Sequence, residues 1–215
     1  VTVGLLAIAL QNIGIDARSW LGWQIPFHTD GVHSAARIEH IDTASIAERL
    51  DKGQVVVAAG FQGISPEGRI TTLGRGGSDT SAVALAAALE ANRCDIYTDV
   101  DGVYTTDPRI MPKARKLNHV TFEEMLEMAS AGAKVLETRS VAMAMRHNVN
   151  LQVRSSFTSD EGTMVVDEDN DMEKQKISGI AYSRDEAKVT LVGLPDKPGI
   201  AATIFEKLAE NHINV

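Results

Sequence analysis

The sequence predicts an α/β fold: a three-layer, mainly parallel sheet, followed by the start of a second, smaller domain. Three observations predict it. Val55-Val56-Val57-Ala58-Ala59 is a continuous apolar run, and Cys94–Thr98 is the next strand candidate; such runs fit strands covered on both faces. Segments with helical apolar spacing alternate with them. Long loops follow both strands, at 60–77 and 99–117, where open α/β sheets hold their ligands.

Val1–Gly14 has helical spacing and stops at Gly14, a residue suited to a helix end. Ile15–Leu21 is a strand candidate, 22–31 a loop and Ala36–Ile41 a further strand candidate. Thr43–Lys52 predicts a helix, with Thr43 as cap, Ile46 and Leu50 on one face and Gly53 at its end. Gln54–Phe61 is a strand, and the loop after it carries five glycines beyond Gly60. Ser78–Glu90 is a helix of mostly Ala, Leu and Val, small enough to pack closely on a sheet. Thr121–Ala131 is a helix whose Thr121 and Glu124 form a capping-box pattern. Lys134–His147 is another helix and Leu151–Ser155 a strand.

Composition changes at Thr158–Gln175, where seven acidic residues gather from Asp160 to Glu173. The stretch reads as a solvated linker or an exposed hairpin. Ile177–Leu194 then gives two strand-like runs, and Pro198–Asn211 an amphipathic helix with Ile200, Ile204 and Leu208 on one side. The chain therefore divides into a first domain at 1–157, a connector at 158–176 and the start of a second domain at 177–215.

Bulk properties exclude several classes of function. With a net charge of -8, the 215-residue chain is a poor non-specific binder of nucleic acid. The hydrophobic fraction of 44% supports a core, and 5% aromatics makes that core aliphatic. The one cysteine, Cys94, rules out an internal disulfide and fits a reducing cytoplasm. No segment has the apolar length of a membrane span. Val1–Leu10 lacks the basic flank of a signal peptide and reads as the inside of a helix that begins uncapped. His212–Val215 reads as a strand just starting, so both ends are expected to be cuts in a longer protein. The six histidines lack i, i+4 metal spacing, and no metal site is expected from them. Met125, Met128, Met143 and Met145 read as core filler, Trp20 and Trp23 as packing residues, and Cys94 as an inert buried thiol.

The chemistry is expected in the two long loops. Thr71-Thr72-Leu73-Gly74-Arg75-Gly76-Gly77-Ser78-Asp79-Thr80 runs straight into a helix. Its glycines allow close backbone approach, the helix start presents free N–H groups to an anion, and Arg75 adds a fork for a carboxylate or phosphate. The alternative is a flexible turn with a solvated arginine. The loop Tyr97–Arg109 gathers acidic, hydroxyl, aromatic and Arg groups at a strand end. Its alternative is a set of Asx-turns, since Asp101-Gly102 and Asp107-Pro108 are ordinary turn signals.

Taken together, Val57–Ala88 and Ile96–Arg109 strongly resemble the amino-acid kinase superfamily, and Leu73–Thr80 resembles the aspartate kinase branch of it. Phe122–Ala129 and Arg154-Ser155-Ser156 fit that branch. Leu194-Pro195-Asp196-Lys197-Pro198-Gly199 resembles the entry to an ACT domain, a ferredoxin-like α+β module. The resemblance implies phosphoryl transfer from ATP, with Mg²⁺, to the side-chain carboxylate of L-aspartate. It implies that Arg75 holds the substrate α-carboxylate, with Ser78 and Phe61 lining the pocket, and that Asp79 is catalytic. Thr98, Asp99, Tyr104, Arg109 and Lys134 would serve the nucleotide, though for Lys134 a solvated lysine is an equal reading. Asp196 and Gly199 would meet a lysine or threonine effector, with helix capping as the alternative for Asp196. A homo-oligomer is expected of the full-length protein. The family's Lys-Phe-Gly-Gly-Thr-Ser segment and its Gly-Glu pair are absent here, so the chain alone is expected to be inactive. Two rivals are a different amino-acid kinase, whose glycine loop would differ, and a non-catalytic effector-binding fragment, which would start nearer Ile177.

Overall fold

The first apolar stretch forms helix α1 (Thr2–Asn12), and the chain leaves it through Gly14 at φ +86°. The computed structural model describes residues 1–167, 178–182 and 197–211. They belong to two compact units, Val1–Tyr182 and Ser183–Val215.

In the first unit the described strands make three sheets. β1 (Ala17–Trp20) and β4 (Val55–Ala58) pair in parallel, with α1 packed on β1 and α2 (Ala44–Asp51) on β4. β4 is not covered on both faces as its apolar run suggests: Val57 is buried, but Val55 is 39% exposed. A strand with one partner among the described residues has an open flank, and its apolar side chains are only partly covered. Thr43 precedes α2 but makes no side-chain cap; the Ala44 N–H is taken by the Asp42 carboxylate at 3.1 Å.

The second sheet has the order β3-β2-β5-β6, from β2 (Phe27–Thr29), β3 (Ile38–Ile41), β5 (Gln62–Ile64) and β6 (Ile70–Thr72). Three of these strands lie in stretches read above as loops. Each has three residues, too few for a two-residue alternation to register. Helix α3 (Gly77–Ala88) follows β6 and packs on β3 and on β7 (Cys94–Thr98).

The third sheet has the order β7-β9-β10-β8, with β8 at His119–Thr121, β9 at Leu151–Ser155 and β10 at Thr163–Val166. β7 runs parallel to β9, and β10 parallel to β8. Its core joins Val83, Ile96, Phe122, Met125, Leu151 and Val153, all buried. α4 (Phe122–Ser130) opens with the predicted capping box: the Glu124 N–H donates to Thr121 Oγ1 at 3.2 Å, and the Thr121 N–H to Glu124 Oε2 at 3.0 Å. α5 (Thr138–His147) begins four residues later than predicted. Gly132 turns left-handed at φ +107°, and the Ala133 N–H closes back on the Met128 carbonyl, ending α4. Lys134 therefore lies in an exposed turn before α5, not at a helix start.

The connector reading fails for residues 163–166. β10 pairs antiparallel with β9, and Thr163 and Val165 have no exposed surface. Thr163 Oγ1 accepts from the Val103 N–H at 2.8 Å and donates to the Leu117 carbonyl at 2.6 Å. Asp160, Glu161 and Asp167, the described acidic residues on either side, are exposed, and the charge of the stretch hid the strand.

In the second unit, α6 (Ile200–Glu210) follows Gly199, which caps it at φ +95°, with Pro198 in the preceding turn. Ile200, Ile204 and Leu208 are its least exposed residues. The two strand-like runs of 177–194 and Asp196 lie outside the described residues, apart from 178–182.

Gly162 admits no side chain, because a Cβ there would collide with the Val153 carbonyl. Gly162→Ala should destabilise the chain by about 2 kcal/mol or more through overpacking. Thr163→Val should cost about 1–3 kcal/mol by leaving buried backbone groups unpaired. Urea unfolding measures both. Losses under ~0.5 kcal/mol for both variants would return residues 158–167 to a linker.

Candidate functional site

The first loop is shaped by its two flanking glycines. Gly74 is left-handed at φ +82°, and a Cβ there would run into the Ser34 carbonyl. Gly76 is left-handed at φ +65°, and a Cβ there would overlap Glu137 Cγ. Gly76 also stands at the N-cap of α3, where no side chain caps the helix. The Gly77 N–H bonds the Gly74 carbonyl and the Thr80 N–H the Gly76 carbonyl. The N–H groups of Ser78 and Asp79 between them have no acceptor among the described residues. Arg75 is exposed and has no hydrogen-bond or ion-pair partner among them. A free guanidinium beside two open N–H groups at a helix N-terminus is suited to an anion.

Phe61 joins this group. Its backbone is left-handed at φ +70°, rare for a bulky residue. The conformation is held at both ends: its N–H donates to Ser81 Oγ at 3.1 Å, and its carbonyl accepts from Leu73 at 3.0 Å. Its ring lies against Gly77, where an added Cβ would sit 2.9 Å from Phe61 Cδ2. The ring is 45% exposed and forms one wall of the loop's surroundings.

Asp79 lies in the first turn of α3, half-buried. Burial pushes its carboxyl above the ordinary range, and the Glu137 carboxylate pushes it the same way, against a hydrogen bond from Ser78. Burial and the neighbouring charge both favour the protonated form. Phe61, Arg75, Ser78 and Asp79 thus converge on one helix start.

The second loop has a different character. Tyr104 bridges to Lys116, the Leu117 N–H bonds the Val103 carbonyl, and the Thr105 N–H bonds the Arg115 carbonyl, so 103–117 is a narrow hairpin. The Tyr104 hydroxyl donates to Asp101 at 3.0 Å, and burial followed by Asp101 raises its pKa. Lys116 also lies 3.6 Å from Asp101. Thr98 Oγ1 donates to Asp99 at 3.1 Å, at the carboxyl end of β7. Arg109 forms a forked pair with Asp107, at 3.1 and 3.0 Å, while its own side chain is 88% exposed. That pair holds the Asp107 carboxyl below its ordinary value. Arg109 therefore points at its own loop, not at an open anion site. Lys134 is exposed and without a partner among the described residues. No hydrogen bond or ion pair between described residues joins the two loops.

Two residues near the first loop escaped the sequence reading. Glu137 stands at the N-cap of α5 against Gly76, and Arg139 in its first turn reaches the carbonyls of Leu73 and Ala36. Their only sequence signal is two charges at the head of a helix, which elsewhere marks a solvated end. Of the residues given the bland reading, Cys94 is buried, with its thiol pushed up to about 11 by burial first, in keeping with an inert thiol. Met125 and Met128 are buried, and Met145 is exposed. Trp20 packs on the core, while Trp23 is exposed. Among the described residues no group of three or more His, Cys, Asp or Glu side chains could hold a metal ion, and no helix is long and apolar enough to cross a membrane.

Residues 1–155 match the amino acid kinase family model. The chain belongs to the amino acid kinase family. Its full length aligns with an aspartate kinase of Pseudomonas putida at 55% identity over 216 residues, 53% of that protein. It superposes on E. coli aspartokinase III in complex with aspartate and ADP, in its R-state, with a TM-score of 0.77 at 32% identity. That match covers 100% of this chain and 49% of the other. The T-state of E. coli aspartokinase III, in complex with lysine and aspartate, matches with a TM-score of 0.70 at 30% identity, covering 97% of this chain and 48% of the other. The chain thus spans about half the length of the curated relatives it matches.

The raised pKa of Asp79 has a stability consequence. The folded state holds that proton more tightly than the unfolded chain, so stability falls as pH rises from the ordinary carboxylate range through the raised value. Asp79→Asn removes the loss. The Tm of D79N relative to wild type should therefore climb as pH is raised from the acid side of that window to neutrality. A difference independent of pH, or one moving toward wild type, would contradict the assignment.

Proposed function

We propose that this chain contributes much of the catalytic domain of an aspartate kinase, which transfers the terminal phosphoryl group of ATP to the side-chain carboxylate of L-aspartate. The observation that carries the reading is the 55% identity, over the whole chain, to an aspartate kinase. The open anion-binding arrangement around Arg75 supports it.

The chemistry asks little of the chain beyond position and charge. The substrate side chain, with an ordinary pKa of about 3.9, is already ionised at pH 7 and needs no general base. The obstacle is bringing that anion to a triphosphate, so catalysis rests on placement and neutralisation. Arg75 binds the substrate α-carboxylate through its fork, helped by the N–H groups of Ser78 and Asp79, with Phe61 as a wall. Asp79 organises the reacting centre, its side chain orienting a cationic group there.

Thr98, Asp99, Tyr104, Arg109 and Lys134 serve the nucleotide. Arg109 is available although it is paired, because an exposed ion pair is worth only ~0–1 kcal/mol and exchanges readily for phosphate. Mg²⁺ fits this chain as an ion carried on the ATP phosphates: no carboxylate cage is found among the described residues, and Mg²⁺ commonly uses one or two carboxylates plus phosphates. The ion would supply charge neutralisation at the transferring group.

We assign residues 177–215 to the beginning of an ACT regulatory domain. Gly199, left-handed at the head of α6, leaves room for an effector amino acid at the turn. Lysine, threonine or both act there, in a cytoplasmic homo-oligomer. E. coli aspartokinase III, a structural neighbour, has been crystallised with lysine.

In the full-length protein Arg75→Ala should raise KM for aspartate by about 10- to 100-fold, from the loss of a charged hydrogen bond worth ~1.5–3 kcal/mol. KM for ATP should move little. A coupled ADP-release assay decides it, and a larger change for ATP would show that the two loops have been given the wrong ligands. Asp196→Ala should shift the lysine or threonine inhibition curve to higher concentration while leaving uninhibited activity intact. Superimposable curves would remove Asp196 from the effector site.

A further inference from the structure

Arg75 is exposed and has no hydrogen-bond or ion-pair partner among the described residues, yet the function proposed above requires it to be aimed. Its aim must come from its neighbours in the chain, and both are pinned. Gly74 lies against the Ser34 carbonyl and Gly76 against the side chain of Glu137. The segment on the Gly74 side is itself built up. The Asp30 carboxylate accepts from the Val32 and Arg37 N–H groups, at 3.2 and 3.1 Å. The Ala36 N–H donates to the Thr72 carbonyl and the Ser34 N–H to Thr72 Oγ1, each at 3.1 Å. Residues 30–37 thus form a bracket along one side of the glycine loop, and the first turn of α5 forms the other side.

One side chain spans the two. Arg139 Nη1 donates to the Leu73 carbonyl at 2.8 Å and Nη2 to the Ala36 carbonyl at 2.7 Å. The side chain is part-buried, and these acceptors lie 66 and 103 residues away in sequence. No ion pair involves it among the described residues. A guanidinium that spends its fork on two backbone carbonyls from separate segments acts as a staple, because the planar geometry of its donors fixes the spacing of both acceptors.

We propose that Arg139 is a positioning residue for the substrate site: its fork locks residues 34–36 and 72–74 to the head of α5, and with Glu137 against Gly76 it sets the direction in which Arg75 meets the substrate carboxylate. The proposal rests on the aspartate kinase reading for the identity of that carboxylate, but the staple itself does not. Lysine cannot replace the arginine fully. Its ammonium is a single point on a flexible stem and reaches one carbonyl without fixing the other.

The test uses the full-length protein with Arg139→Ala and Arg139→Lys, in two measurements. In ADP-release kinetics, R139A should raise KM for aspartate by about 10-fold or more, since small misplacements of a positioning group can cost up to ~10²-fold. KM for ATP should stay within about 2-fold, and R139K should fall between R139A and wild type. In hydrogen–deuterium exchange, amides of 34–36 and 73–80 should exchange faster in R139A, with β7 and β9 unchanged. A stability effect alone would move both KM values together and speed exchange through α5 and β9; that result overturns the proposal, as does unchanged exchange at 73–80. If R139A does not fold, the aspartate-selective KM rise and local exchange of R139K decide the matter. If wild type releases no ADP in response to aspartate, the functional reading fails, while the exchange data still judge the staple.

Discussion

The backbone of residues 72–77 has no room for side chains at Gly74 and Gly76, and the candidate site is arranged around that restriction. Both glycines are left-handed, and both lie against another segment, Ser34 on one side and Glu137 on the other. Glycine is needed twice over, for its conformation and for its missing Cβ. Between them Arg75 projects into the open. The loop is thus packed against its neighbours at the two glycines and open at the arginine between them. Among the described residues the helix start behind it leaves two N–H groups without acceptors, an arrangement with the guanidinium that is suited to an anion.

Charge is handled differently in the two loops. In the first, charges of like sign are brought together: Asp79 is half-buried with Glu137 nearby, and its carboxyl is pushed up by burial and by that neighbour. A group held in this way is costly to ionise, and such costs concentrate where chemistry is done. In the second, opposite charges pair within the loop, Asp107 with Arg109 and Asp101 with Lys116. These pairs are exposed at one partner at least and contribute little to stability. The hairpin is held by its backbone bonds instead, and Arg109 is left exchangeable.

How much of this could be read from residues alone varies with the range of the interaction. The capping box of Thr121 and Glu124 is three residues wide and was legible, as were β7 and β9, whose residue ranges match the prediction. Thr43 does stand at the N-cap of α2, but its side chain makes no capping bond, and the side chain that meets the helix start is that of Asp42, on the Ala44 N–H. The three-residue strands β2, β5 and β6 carry too little periodicity to be seen. Arg75 stands out in the sequence because a glycine loop entering a helix is a local pattern, whereas Ser78, Asp79 and Phe61 enter only through the family resemblance. Arg139 does neither. Its two acceptors are 66 and 103 residues distant, and nothing local distinguishes it from a solvated arginine at a helix start.

The acidic stretch after β9 shows how composition can hide a structural strand. Asp160 and Glu161 precede and Asp167 follows the four residues Thr163–Val166, which form β10, with burial alternating between full and partial. Gly162 lets the chain pass directly over Val153. The hydroxyl of Thr163 then reaches both strands of the 103–117 hairpin, through Val103 and Leu117. Residues 178–182 add a further tie, from the Ile180 N–H to the Thr105 carbonyl at 2.7 Å. So the loop assigned to the nucleotide is anchored from the carboxyl-terminal side of the chain, by β10 and by residues 178–182. The loop assigned to aspartate is anchored by residues 30–37 and by α5. Among the described residues no hydrogen bond or ion pair links one anchor to the other across the two loops. Their relative placement depends on α3, which packs on β7 and leads out of the glycine loop. Its small residues matter for that reason: Thr80, Ser81, Val83, Ala84 and Ala86 are buried along it, and larger side chains there would separate the two halves of the site.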